Sequence, residues 1–140
     1  MNVMIIYGNP KEGGFVHGCL DAISERLGQR DVQVERLHLH RQGILDCTGC
    51  FTCLRTGACV LEDQMNGICE RMRQADGYVI GCSVRNGYVT ALYKRFYERI
   101  TYPLIFTGDL IRRAISYRAG GHLADRSSWF GRFLLLAGRP

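Results

Sequence analysis

Apolar and polar positions follow two periods in turn along the chain. Residues 3–7 form a short apolar run closed by Gly8, Asn9 and Pro10, the pattern of a strand buried on both faces. Val16, Leu20, Ile23 and Leu27 then recur at i, i+4, i+7 and i+11, which predicts a helix with one apolar stripe, capped at its C-terminus by Gly28. Val32, Val34, Leu37 and Leu39 predict a second strand whose alternation slips at Glu35 and Arg36. Asp63 predicts the cap of a helix with Met65, Ile68, Cys69 and Met72 on one face, and residues 77–82 read as a third strand. Thr90 predicts the cap of a further helix, striped by Leu92, Phe96 and Ile100 and ending before Pro103, and residues 114–118 predict a fourth strand.

Strands alternating with helices predict an α/β fold: an open parallel sheet with helices on both faces. Residues 1–126 read as one domain of about four strands. The apolar tail, residues 127–140, is too short for another helix and strand together. It reads as a last strand, a short helix or a partner surface.

Composition narrows the class. A chain of 140 residues, 46% apolar, can bury one continuous core. No stretch approaches the roughly 18 uninterrupted apolar residues of a membrane helix, so no membrane role is expected. The N-terminus lacks a basic region and runs into a glycine turn, which predicts a strand instead of a signal peptide, and a cytoplasmic, reducing setting. Of the net charge of +5, the excess lies late: residues 1–90 hold nine Lys/Arg against ten Asp/Glu, and residues 91–140 nine against three. Lys94, Arg95, Arg99, Arg112, Arg113 and Arg118 form either an anion-attracting patch or a solvated basic face. No basic run is interleaved with aromatics, so no nucleic-acid partner is expected.

In open parallel sheets, ligands bind beyond the C-terminal ends of the strands. The first loop there, Gly8, Asn9, Pro10, Lys11, Glu12, Gly13 and Gly14, leads into a helix. Its glycines let the backbone approach a ligand, and the helix N-terminus favours an anion. It is neither GxGxxG nor a triphosphate loop, so it suits a single phosphate, or serves only as a connection. A second loop, Ser83, Val84, Arg85, Asn86, Gly87 and Tyr88, offers donors for the edge of a flat heterocycle and a ring to stack on it, or is an ordinary polar connection. Cys47, Cys50, Cys53 and Cys59, spaced CxxCxxCxxxxxC, are soft ligands grouped more tightly than the split pairs of zinc sites. The gap of five and the absence of a following proline depart from bacterial ferredoxin, and an iron–sulfur cluster, zinc and unligated thiols all remain open. Cys19 and Cys69 read as small core residues. His38 and His40 read as solvated edge-strand residues in preference to a metal pair.

These loops, in this order, resemble the flavodoxin-like NAD(P)H-dependent FMN reductases, and within them the iron–sulfur flavoprotein branch. The likeness rests on Gly8-Asn9-Pro10-Lys11-Glu12-Gly13-Gly14, on the segment CTGCFTCLRTGACVLED at residues 47–63, on Ala75-Asp76-Gly77, and on residues 81–99, where Lys94, Phe96 and Arg99 match. It implies a flavodoxin-like sheet, here shortened at the C-terminus, and an oxidoreductase passing electrons from NAD(P)H through FMN to an acceptor. Gly8, Asn9, Pro10, Lys11, Gly13, Gly14, Phe15 and Val16 would hold the FMN phosphate. Ser83, Val84, Arg85, Asn86, Gly87 and Tyr88 would line the isoalloxazine ring, with Gly120 and Gly121 as a third wall. Cys47, Cys50, Cys53 and Cys59 would ligate a [4Fe–4S] cluster on the same rim as the flavin, and a homo-oligomer is implied because the family's FMN site borrows surface from a second subunit. No side chain is expected as nucleophile or general base. The alternatives are a non-catalytic module whose cysteines bind zinc or sense redox state, and a pure electron carrier. Asn9 stands where the family has serine, Phe15 and Val16 where it has amide or hydroxyl donors, and Ser83 and Arg85 where proline and tyrosine are common. The chain stops before the residues that a fifth strand and last helix would need.

Overall fold

Strand β1 (Asn2–Tyr7) lies at the centre of a parallel sheet, flanked by β2 (Gln33–His38) and β3 (Gly77–Gly81) in the order β2-β1-β3. This computed structural model describes residues 1–106; the strand expected at 114–118, Gly120, Gly121 and the tail 127–140 lie outside them. The pleat sends alternate side chains of β1 into two cores. Met4 and Ile6 join Leu37, Ile80, Ile68, Met72 and Phe96 on one face, while Val3, Ile5 and Tyr7 pack on the other with Leu20. Helix α1 (Phe15–Gly28) covers the second face, and helices α3 (Met65–Gln74) and α4 (Ala91–Ile100) the first. Both faces of the sheet are therefore clad by helices, as the apolar run of residues 3–7 predicts.

The register of β2 runs from Asn2↔Gln33 to Tyr7↔His38. Its alternation slips because it lies at the edge of the described sheet, where Glu35 pairs with Arg71 at 2.9 Å and the Arg36 Nε donates to the Ser24 hydroxyl at 2.9 Å. The four residues expected on one face of α3, Met65, Ile68, Cys69 and Met72, are all buried. Gly28 is not the C-terminal cap of α1. The helix includes it, the cap at Gln29 is right-handed, and the left-handed turn falls on Asp31 at φ 56°.

Two segments depart from the predicted pattern. After α4 the chain continues as a π-helical turn, Thr101–Phe106, across Pro103, a local widening that accommodates the missing proline N–H. Residues 84–89 form an antiparallel hairpin of β4 (Val84–Arg85) and β5 (Tyr88–Val89). Asn86 at φ 51° and Gly87 at φ 81° supply the two left-handed residues of a type I′ turn. The Asn-Gly pair is the sequence signal for this hairpin, overlooked when the segment is read only as a polar loop.

Candidate functional site

The loop after β1 and the hairpin after β3 are joined at their roots. Gly8 donates its N–H to the Gly81 carbonyl at 2.8 Å, and the Thr90 hydroxyl donates to the Gly8 carbonyl at 2.6 Å. Thr90 also accepts from the Tyr93 N–H at 3.1 Å, which is the predicted cap of α4. Gly8 admits no side chain, since a Cβ there would lie 2.8 Å from the Cys82 Cβ and 3.1 Å from the Gly81 carbonyl oxygen. Asn9 accepts from both the N–H and the hydroxyl of Ser83, at 2.7 and 3.1 Å. Two of the positions that depart from the family pattern, Asn9 and Ser83, are thus partners of each other, and Ser83 spends its donors inside the protein instead of toward a ligand.

Beyond Asn9 the loop opens. Pro10, Lys11, Glu12 and Gly13 are exposed, Gly13 turns left-handed at φ 76°, and a Cβ on Gly13 or Gly14 would meet nothing within 4 Å. Helix geometry leaves the N–H groups of Phe15, Val16 and His17 without intrahelical partners. No side chain caps them, and the first turn carries no acidic residue. This end of α1 is chemically fitted to an anion. Across the adjoining hairpin, Tyr88 is 79% exposed, an open aromatic face.

The four cysteines line one small cavity, together with Thr48, Phe51, Arg99 and Tyr102. Left-handed turns at Gly49 (φ 67°), Phe51 (φ 56°) and Gly57 (φ 71°) fold the loop around it, and the single-turn helix α2 (Cys53–Thr56) starts at the third cysteine. Phe51 holds a conformation costly for a bulky residue, supported by edge-on contact with Tyr102 at 5.0 Å. Asn66 fixes the fourth cysteine by accepting from the Cys59 N–H and donating to its carbonyl, both at 2.8 Å. Hydrogen bonds from the Thr52 backbone and from the Thr52 and Thr48 hydroxyls hold the Cys50 thiol below its ordinary pKa. Burial and the neighbouring thiolates of Cys59, Cys47 and Cys50 push Cys53 up, as expected when several sulfurs share one small space.

Arg99 and Asp63 build the wall of this cavity from behind. Both side chains are almost wholly buried and form a two-pronged pair at 2.8 and 3.0 Å. Asp63 also accepts from the N–H groups of Leu45 and Met65, and Arg99 donates to the Leu45 carbonyl at 2.8 Å. One ion pair therefore ties both ends of the cysteine segment to α4. Burial alone would raise the Asp63 carboxyl, but Arg99 and the two N–H groups hold it below the usual range. The Arg99 Nε has no hydrogen-bond partner, and the guanidinium interacts favourably with Cys59, so a positive charge stands beside the thiol set.

Several expectations change. Arg99 belongs to this buried clamp, Lys94 pairs with Glu98 at 2.5 Å and Arg95 with Asp46 at 2.6 Å, while Arg112, Arg113 and Arg118 lie outside the described residues. Cys82 is a buried thiol, pushed up by burial, and Cys69 is pushed up to about 11 by the same cause. The cysteine cavity borders Arg99 and Tyr102, whereas the hairpin leads into α4 at Thr90, about 14 Å of helix rise from Arg99. Asp63 is readable in the sequence only as a cap and Arg99 only as a surface charge; no local signal announces that they meet.

The strand order β2-β1-β3, an uncapped helix start after β1 and a hairpin after β3 joined to it define a protein of the flavodoxin-like class. The family described as NADPH-dependent FMN reductase matches residues 1–136, and the chain belongs to it. Among curated proteins, an iron–sulfur flavoprotein of Archaeoglobus fulgidus is 33% identical over 71% of this chain and 46% of its own length, and one of Methanosarcina thermophila 27% identical over 71% and 52%. The chain spans about half the length of the curated relatives it matches. Of solved structures, a flavone reductase superposes with a TM-score of 0.60 at 19% identity, over 90% of this chain and 38% of that one. An NADH:FMN oxidoreductase in its apo form gives 0.50 at 19% identity, over 70% and 49%. These superpositions support the fold. No helix among the described residues is long and apolar enough to cross a membrane.

Proposed function

We propose that this chain forms an FMN-dependent oxidoreductase that moves electrons from NAD(P)H through flavin to an acceptor, with a [4Fe–4S] cluster on Cys47, Cys50, Cys53 and Cys59. The observation that carries the flavin reading is the uncapped start of α1 beside the Ser83–Tyr88 hairpin, the two loops joined by Asn9 and Gly8. FMN, when bound, would accept one hydride, two electrons together, and release those electrons singly. The chain's own part is binding and orientation. The amides of Phe15, Val16 and His17 hold the phosphate charge, Gly13 and Gly14 leave it room, and the rigid type I′ turn sets the ring edge beside Tyr88.

The thiol set supports the cluster reading through its chemistry and spacing. Four sulfurs around one tetrahedral zinc lie about 3.8 Å apart. Among the described residues the group of three ligating side chains within 4.8 Å of one another is Glu12, His38 and His40, with no cysteine in it. The four thiols face one cavity, and their tight CxxCxxC spacing is the one that iron–sulfur ligation uses. The Arg99 charge at the cavity wall offsets the negative charge that thiolate ligation gathers.

Titration of FMN followed by fluorescence tests the first part. Gly14 has extended backbone at φ −89° and ψ 176°, so Gly14→Val leaves the backbone unstrained and fills the space proposed for the phosphate. FMN affinity is expected to fall at least about tenfold, or about 1.4 kcal/mol, and unchanged affinity contradicts the placement. For the cluster, Cys50→Ala is expected to lower iron per chain after anaerobic reconstitution; equal iron in variant and wild type removes the assignment.

A further inference from the structure

Three of the chain's four histidines gather at one place that neither the flavin nor the cluster reading uses. His38 ends β2, and the 3₁₀ turn Leu39–Arg41 that follows sets His40 beside it, with ring centroids 6.0 Å apart at 85°. Both are half-buried and not solvated edge residues. Glu12 comes to them from the first loop, its carboxylate 3.0 Å from the His40 Nε2. One ligand atom from each of Glu12, His38 and His40 lies within 4.8 Å of the others. His17, on the first turn of α1, packs 5.3 Å from the His38 ring and closes the cluster on that side.

The geometry points to a divalent transition-metal site, of the zinc class, held by Glu12, His38 and His40. Two imidazoles and a carboxylate are a donor set suited to zinc. Bonds of about 2.0–2.1 Å in tetrahedral array put ligand atoms about 3.3 Å apart, so small side-chain rotations suffice. A second observation is independent of spacing. The Nδ1 atoms of His38 and His40 are buried and have no hydrogen-bond partner, an uncommon state for buried polar nitrogen and one that marks a missing ligand or second-shell partner. Glu12 is exposed, which leaves an entry path.

Arg41 is the built-in competitor, because its guanidinium shares the same Glu12 oxygen. At 57% side-chain exposure it can swing into water when an ion arrives. A bound ion would then fasten the loop between β1 and α1 to the end of β2, through Glu12.

The test uses tag-free full chain with Cys47, Cys50, Cys53 and Cys59 changed to Ser, titrated calorimetrically with Zn²⁺ alone and then measured by X-ray absorption at the zinc edge. Expected are one zinc per chain and a first shell of nitrogen and oxygen at about 2.0–2.1 Å, without sulfur near 2.3 Å. Wild-type chain loaded with two equivalents gives a second reading should the serine variant not fold: half its zinc shows the nitrogen–oxygen shell. His38→Ala with His40→Ala should weaken that site beyond the roughly 10–100-fold that loss of an outer-shell partner costs. Glu12→Gln, in an exposed loop, should weaken it while leaving the circular dichroism spectrum unchanged. Arg41→Ala should tighten it a few-fold. Zinc bound only through sulfur, or an affinity indifferent to Glu12→Gln and Arg41→Ala, overturns the site.

Discussion

Asp63 does three things with one carboxylate: it accepts the Met65 N–H at the start of α3, whose cap position is Gln64 and not Asp63 as expected, receives the Leu45 N–H and neutralises Arg99. Removing its charge leaves a guanidinium buried without its partner, so Asp63→Asn should cost about 3–5 kcal/mol in urea unfolding at neutral pH. The sign with pH follows from the direction of the shift. The folded carboxyl is held below its ordinary value, so the stabilisation is complete above the unfolded value of about 3.9 and is lost as pH falls through the folded one. The wild-type midpoint should decline below about pH 4 toward that of Asp63→Asn, whose own midpoint lacks this component. Equal midpoints at neutral pH contradict the clamp. Cysteine density at residues 47–59 was legible at this scale because thiols are rare and their spacing is local. The clamp was not, since thirty-six residues separate its partners and each has an ordinary local explanation.

The elements were legible where one physical signal dominates. The apolar run of residues 3–7, the Met65–Met72 face and the Thr90 cap all correspond to observed structure. The hairpin was missed for a reason of emphasis: its strands are two residues each, too short to show alternation, and only the turn residues reveal it. Those residues carry the next prediction. Gly87→Val forces a β-branched residue to φ 81°, a cost of about 1–2 kcal/mol. Because the hairpin is peripheral to both cores, FMN affinity should fall more than the global unfolding midpoint. At its root, Gly8→Ala drives a Cβ into the Cys82 Cβ and the Gly81 carbonyl, and should cost about 1–3 kcal/mol of global stability. A hairpin variant that unfolds the whole protein, or a Gly8 variant that leaves the midpoint in place, contradicts this division.

On the scale of the whole molecule, the joined loops after β1 and β3 face one end of α4 and the cysteine cavity borders the other. The sequence order of the loops suggested a single rim. It could not show that the chain from Ile44 to Asp46 runs along α4, where Arg95 and Arg99 hold it. The central claim is that one chain holds both groups, and its most direct test is the flavin and iron content per chain after strictly anaerobic purification and reconstitution. The account predicts one FMN and about four iron atoms per chain, with brown absorbance that dithionite bleaches. A protein that stays colourless after FMN is added, with iron absent or unaffected by loss of Cys50, would contradict it.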